Sequence, residues 1–293
     1  MSLVRLQAPR TTRRAKHVYH ATRPTADSRA DSHRVSHPQE AVYPALPALA
    51  RGSACPLKLD KTGKKLVFPH TTQVIIRDID PPQGKPITVQ LYKEHGYSVT
   101  TATMAPSGCY VASGDNKGNL RIWACDNPDQ IMKLETVLFS GPILDVAWSA
   151  DSQRLIGVGA GANMFGKVIM WDSGNSVGEI GGHTKQINSC AFKPTRPFRI
   201  VTGGEEGKVN YYEGPPFKFK ATPKTHERFV NTVRFSPDGA RFFSSSSDMS
   251  IAVYDGKEGT LIVEKKVRAR CHGRRCGRCA RSAVRGSDEG RVG

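Results

Sequence analysis

Two short stretches of this sequence carry residue types spaced for chemistry. Gly161-Ala162-Asn163-Met164-Phe165-Gly166-Lys167 has the glycine and lysine spacing of a phosphate-binding loop, but Val168 stands where a Ser or Thr would hold magnesium. Such a loop must also open a helix, whose N-terminal amides hold the phosphates, whereas Val168-Ile169-Met170-Trp171-Asp172 is patterned as a strand. The stretch is therefore expected to be an extended, protruding loop between two strands, the kind of place where rigid scaffolds bind partners. Cys271, His272, Cys276 and Cys279 supply metal-ligand types at C-H-x3-C-x2-C spacing. A structural zinc site pairs two such knuckles and the sequence holds no second one, so these cysteines read as incidental to an Arg/Gly tract that cannot build a core. No Ser/His/Asp set, carboxylate pair in a cleft pattern or metal-binding H-E-x-x-H motif occurs. The sequence argues against an enzyme and implies no cofactor and no metal.

The elements that would position any other site come from the rest of the chain. Its 293 residues, 38% apolar and 24% charged, have globular composition. No run of eighteen apolar residues is present, so no membrane span is expected, and a soluble, cytoplasmic protein is the default. The Arg/Thr-rich first sixteen residues faintly resemble a transit peptide but lack its apolar helix face. Seven cysteines at 55, 109, 125, 190, 271, 276 and 279 do not make a disulfide framework, and the middle ones sit singly in apolar strand patterns. The net charge of +17 would suggest a nucleic-acid partner, yet residues 1–51 and 267–293 carry +6 each, which leaves only +5 for the body. Nucleic acid is therefore an improbable partner. Residues 1–40 and 268–293 are expected to be disordered basic tails, flanking an ordered body over 41–267.

That body repeats itself. Met104-Ala105-Pro106-Ser107-Gly108 leads to Ile122-Trp123, Trp148-Ser149-Ala150-Asp151 to Met170-Trp171, Phe192-Lys193-Pro194 to Tyr211-Tyr212, and Phe235-Ser236-Pro237-Asp238-Gly239 to Val253-Tyr254. Each copy reads as an apolar strand, a Pro/Asp/Gly turn, a second apolar strand, a polar turn and a third strand ending in an aromatic. Lys58-Leu59, Lys65 to Phe68 and Gln73 to Asp78 form a degenerate earlier copy. An all-β chain whose copies start at residues 104, 148, 192 and 235, a period of 43 to 44 residues, resembles the WD-repeat β-propellers, whose four-stranded blades bury their faces only against neighbouring blades. The WD resemblance implies a buried network in each blade linking a His, a Ser or Thr, a turn Asp and a Trp. His226, Ser244, Asp248 and Tyr254 fill those places, as do His183, Thr202, Glu206 and Tyr212 more loosely. His95, Ser113 and Trp123 do so in an earlier blade, with Lys117 at the acid position. These groups are expected to be structural, since a buried network must be satisfied or it costs stability.

More specific phrases narrow the resemblance. Phe192-Lys193-Pro194-Thr195-Arg196-Pro197-Phe198-Arg199-Ile200-Val201-Thr202, Glu213-Gly214-Pro215-Pro216-Phe217-Lys218-Phe219-Lys220 and Phe139-Ser140-Gly141-Pro142 resemble the first propeller of the actin-interacting protein 1 family, the WD-repeat partners of cofilin. That resemblance covers about residues 41–267. It implies about five blades of an incomplete seven-bladed ring, with two blade faces left uncovered. The function implied is binding to filamentous actin decorated by cofilin (actin-depolymerising factor), promoting severing and disassembly at the actin cytoskeleton, with a generic WD scaffold as the alternative. The family's contact residues, an acid in the protruding loop, an acid in a turn and two Phe, fall on Asn163, Glu205, Phe219 and Phe229, and Asn163 departs from the acid. In the stretch 217–220, period-two alternation puts Phe217 and Phe219 on one face, with core packing expected for at least one and a contact role for Phe219.

Overall fold

The computed structural model describes residues 57–79 and 88–266. They form five four-stranded antiparallel sheets in chain order, each a meander in which sequence neighbours pair. Blade 1 is β1 (Lys58–Leu59), β2 (Lys65–His70), β3 (Gln73–Asp78) and β4 (Val89–Tyr92), and blade 2 is β5 (Val99–Met104), β6 (Tyr110–Asp115), β7 (Asn119–Ala124) and β8 (Met132–Val137). Blade 3 comprises β9 (Ile143–Trp148), β10 (Arg154–Gly159), β11 (Gly166–Met170) and β12 (Ser176–Glu179). Blade 4 comprises β13 (Ile187–Phe192), β14 (Arg199–Gly204), β15 (Lys208–Glu213) and β16 (Lys218–Thr225), and blade 5 comprises β17 (Val230–Phe235), β18 (Arg241–Ser246), β19 (Ser250–Asp255) and β20 (Leu261–Lys266). No helix occurs among the described residues.

The turn between the first two strands of a blade is written in the sequence. Gly108 in blade 2 and Gly239 in blade 5 have φ of +80° and +70°, and each donates its N–H three residues back, to Ala105 and Ser236. The left-handed residue closes a tight connection that only Gly adopts without strain. In blade 5 the Asp238 carboxylate accepts from Ser236 Oγ (2.5 Å) and the Ala240 N–H (3.0 Å), which fixes the Ser-Pro-Asp-Gly turn from both sides.

The core is a series of layers between blades. Val67, Val74, Ile76 and Tyr92 of blade 1 meet Val99, Val111 and Trp123 of blade 2, with the Tyr92 and Trp123 rings stacked at 4.1 Å. Leu120 and Ile122 meet Ile143, Val146 and Leu155 at the next junction. Ile156 and Val168 meet Cys190, Ile200 and Tyr212 at the third, and Val201, Val209 and Tyr211 meet Val230, Phe242 and Tyr254 at the fourth. Each blade thus depends on its neighbours for burial.

Blade 5 shows what happens where that neighbour is missing among the described residues. Phe243 and Ile251 are 39% and 43% exposed, while Val201 and Val209, at the same strand positions of blade 4, are fully buried against blade 5. On blade 1 the outcome differs from the expectation of a second uncovered face. Phe68 and Ile75 point away from blade 2 by alternation from Val67 and Ile76, and both are buried.

Phe217 also departs from the sequence reading. It precedes β16 in a left-handed conformation (φ +63°), which breaks the alternation with Phe219. Its ring is buried edge-on against Phe192 at 5.6 Å, while Phe219 remains 49% exposed. The proposed tails, with Cys271, His272, Cys276 and Cys279, lie outside the described residues, as do residues 41–56.

Candidate interaction surface

The histidines of blades 2, 4 and 5 stand in the connections that lead into each blade's innermost strand. In blade 5, His226 Nε2 lies 2.8 Å from Ser244 Oγ, which lies 2.9 Å from the Tyr254 hydroxyl. Nδ1 lies 2.8 Å from Ser250 Oγ and 3.2 Å from Asp248 Oδ2. Ionised Asp248 can only accept, so Nδ1 carries the proton and Nε2 takes the Ser244 hydroxyl. Burial lowers the His226 pKa against the opposing pull of Asp248, which keeps the ring neutral. Burial alone would raise the Asp248 pKa, but hydrogen bonds from the Ser250 hydroxyl and from the Ser250 and Glu227 N–H groups hold it far below the usual carboxylate range.

Blade 4 builds the same chain with other residues. The Thr202 hydroxyl meets His183 Nε2 at 2.7 Å, and His183 Nδ1 meets Glu206 at 2.8 Å. Thr184, which the sequence reading missed, adds its hydroxyl to Glu206 at 2.5 Å. The buried Tyr212 hydroxyl donates to the Gly181 carbonyl at 2.6 Å. In blade 2, Trp123 Nε1 donates to Ser113 Oγ at 3.2 Å, and Ser113 meets His95 Nε2 at 2.7 Å. Lys117 supplies no acid there, and buried His95 Nδ1 has no hydrogen-bond partner. Burial, with the nearby Arg121 charge, pushes the His95 pKa down to about 4.

Blade 3 dispenses with the network. Gly157 occupies the strand position held by Ser113, Thr202 and Ser244 in blades 2, 4 and 5, and Leu138 fills the space above it, so close that a Cβ on Gly157 would lie 2.2 Å from Leu138 Cδ1. An apolar contact satisfies this junction with no polar group to pair.

Around the axis a second cluster joins four blades. Asp145 on β9 is buried and accepts from Lys58 Nζ on β1 (2.5 Å), from Ser189 Oγ and the Cys190 N–H on β13 (2.9 and 3.1 Å), and from Arg234 on β17 (3.3 Å). Burial alone would raise the Asp145 pKa, and the Lys58 and Arg234 charges outweigh it and bring it to about 2. No local pattern announces this cluster, because its members are isolated residues on different blades.

With these interior groups fixed, the outward-facing ones stand out. In a meander, the turn between the second and third strands lies at the same end as the connection to the next blade. Residues 160–165 (β10–β11), 205–207 (β14–β15) and 226–229 (before β17) therefore share one end of the blades. Asn163, Glu205 and Phe229 are all exposed there. The last two turns are in direct contact, since the His226 N–H donates to the Gly207 carbonyl at 2.8 Å. Phe219 lies on the outer strand of blade 4, its ring edge-on to Tyr212 at 6.0 Å and packed beside Gly182. Lys167 of the phosphate-loop spacing lies in strand β11, so no helix N-terminus follows the glycines.

Five meanders packed blade on blade, with one donor chain recurring in three of them, place this chain among the WD-repeat proteins. The chain belongs to that family: the WD domain, G-beta repeat matches residues 84–124, 174–213 and 217–255. Over about three-quarters of its length it is homologous to proteins called WD repeat-containing protein 1 and actin-interacting protein 1. It is 46% identical over 229 residues to WD repeat-containing protein 1 of Gallus gallus (78% of this chain, 37% of the relative). It is 45% identical over 223 residues to actin-interacting protein 1 of Drosophila melanogaster (76% and 36%) and 48% identical over 221 residues to the 66 kDa stress protein of Physarum polycephalum (75% and 36%). The chain thus spans a little over a third of the length of these relatives.

Proposed function

We propose that this chain binds actin filaments and acts with cofilin to promote their severing and disassembly in the cytoplasm, as a binding protein and not as an enzyme. The homology to a protein named actin-interacting protein 1 supports the actin reading. The observation that carries the placement of the contact is the exposure of Phe219 and Phe229, 49% and 38%, on a scaffold that fully buries Trp123, Tyr211, Tyr212 and Tyr254. Aromatic rings left in water on a rigid frame are the residue type that anchors protein interfaces. Glu205 adds a charge at the same end as Phe229, and Asn163 offers an uncharged contact on the neighbouring blade. Mechanically, a partner that prefers cofilin-decorated or strained filament to bare filament shifts the population toward breakage with no covalent step. Neither a membrane nor a nucleic acid is required as a partner. The reading is tested by co-sedimentation of the full chain with cofilin-decorated filaments, comparing wild type with Phe219→Ala, Phe229→Ala and Glu205→Lys. Loss of pelleting in variants that keep wild-type unfolding midpoints supports the surface, and unchanged pelleting in all three overturns it.

A further inference from the structure

Cys109 and Cys125 face each other across blade 2. Val111 pairs with Trp123 and Tyr110 with Ala124, and one step further the Cys125 N–H donates to the Cys109 carbonyl at 2.8 Å. The two cysteines are therefore a hydrogen-bonded cross-strand pair at the ends of β6 and β7. Opposed residues of an antiparallel ladder point to the same side. Alternation places both thiols on the side of Val111 and Trp123, which packs on blade 1, and Cys125 is part of that layer. Both sulfurs also lean on adjoining carbonyls of one turn, Cys109 Sγ 3.7 Å from Ser107 O and Cys125 Sγ 3.4 Å from Gly108 O. The Cα atoms of such a pair stand about 5.5 Å apart, inside the range of about 4.4–6.8 Å that a disulfide spans. Both are free thiols, Cys109 partly open to solvent and Cys125 buried behind it.

We propose that this pair is a redox modification site, in which a peroxide links Cys109 to Cys125. The partly exposed Cys109 sulfur, as thiolate, attacks one peroxide oxygen; the O–O bond breaks, and the departing hydroxide takes up one proton to leave as water. The resulting sulfenic acid is attacked by the Cys125 sulfur; the S–O bond breaks, and the thiol proton leaves with the hydroxyl as a second water. The two sulfurs give up two electrons and the peroxide accepts them. The new bond ties the strand ends beside the Ala105–Gly108 turn, whose Ser107 N–H already reaches Ser152 Oγ of blade 3 at 3.1 Å. Oxidation would thus stiffen the place where blades 1, 2 and 3 meet.

The experiment treats the folded full chain with hydrogen peroxide, quenches it, unfolds it, alkylates remaining thiols and digests with trypsin. Cleavage after Lys93, Lys117, Arg121 and Lys133 puts Cys109 in fragment 94–117 and Cys125 in fragment 122–133. The expected result is a linked 94–117/122–133 species that dominates any link to Cys190, disappears on reduction and is absent from Cys109→Ser. In Cys125→Ser the Cys109 fragment should instead carry sulfenic or sulfinic acid, and the unfolding midpoint of the wild type, but not of either variant, should rise on oxidation. Recovery of both fragments alkylated, or appearance of the link only after denaturation, overturns the proposal.

Discussion

The Asp145 cluster makes a sharp energetic test of how the blades are held around their axis. Asp145→Asn keeps the size of the side chain and leaves an oxygen that can still accept from Ser189 and the Cys190 N–H, while removing the charge that Lys58 and Arg234 face. The Lys58 and Asp145 side chains are only 14% and 2% exposed, so their pair is poorly screened, whereas Arg234 at 46% is largely solvated. Breaking a buried pair by removing one partner costs about 3–5 kcal/mol, and the retained acceptor contacts place this change at the low end. Proton linkage gives a second figure. A carboxyl at about 2 in the folded chain and at 3.8 when unfolded contributes about 2–3 kcal/mol. Because the folded pKa is the lower one, that stability is present above pH 3.8 and is lost as pH falls through 2. The difference in unfolding free energy between wild type and Asp145→Asn should therefore be about 2–3 kcal/mol from pH 7 to pH 5 and about half that at pH 3. Urea titrations followed by the emission of Trp123, Trp148 and Trp171 measure it. A difference below about 1 kcal/mol at neutral pH, or one that does not narrow on acidification, would refute the assignment of Asp145 as an ionised keystone.

Three further outcomes are expected. Ser244→Ala leaves His226 Nε2 and the Tyr254 hydroxyl without the atom that joins them and should lower the unfolding free energy by about 2–3 kcal/mol, read in the same urea titration. Lys117→Asp puts an acid where the His95 chain lacks one; it should stabilise blade 2 by about 1 kcal/mol and raise the His95 titration midpoint above about 4, seen in the imidazole NMR shift. The wild type, whose His95 pKa is depressed from 6.5, should lose stability as pH falls from 6.5 toward 4, and this variant should lose less. Phe219→Ala and Phe229→Ala should each weaken pelleting with cofilin-decorated filaments by at least about tenfold while shifting the unfolding free energy by less than about 1 kcal/mol.

The first three strands of each blade were legible because both physical signals are local. Apolar residues recur at period two in segments such as Val230–Phe235, and a Pro/Asp/Gly turn follows at fixed distance. Of the fourth strands only the start of β16 was read; β20 is exposed along its whole length and β8 turns only Leu134 and Thr136 partly inward, which leaves little alternation to detect. The His chains of blades 4 and 5 could be read because the WD resemblance assigns a position to each member, and so could the missing acid at Lys117. The Leu138–Gly157 replacement in blade 3 could not, because a network exchanged for an apolar contact leaves no polar residue to notice. Nor could Lys58 and Asp145, which lie 87 residues apart and meet only through the packing of successive blades. Phe217 and Phe219 were paired on one face by alternation, and the left-handed turn at Phe217, a backbone property with no signal in the residue type, separates them.

The central claim, a cofilin-dependent actin-binding surface on this set of blades, is tested most directly by co-sedimentation of the full chain with filamentous actin, with and without saturating cofilin. Weak pelleting is expected with bare filaments, strong pelleting when cofilin is present, and a fall in total sedimented actin as filaments break. A chain that shows a cooperative urea transition yet stays in the supernatant at every cofilin concentration would contradict it.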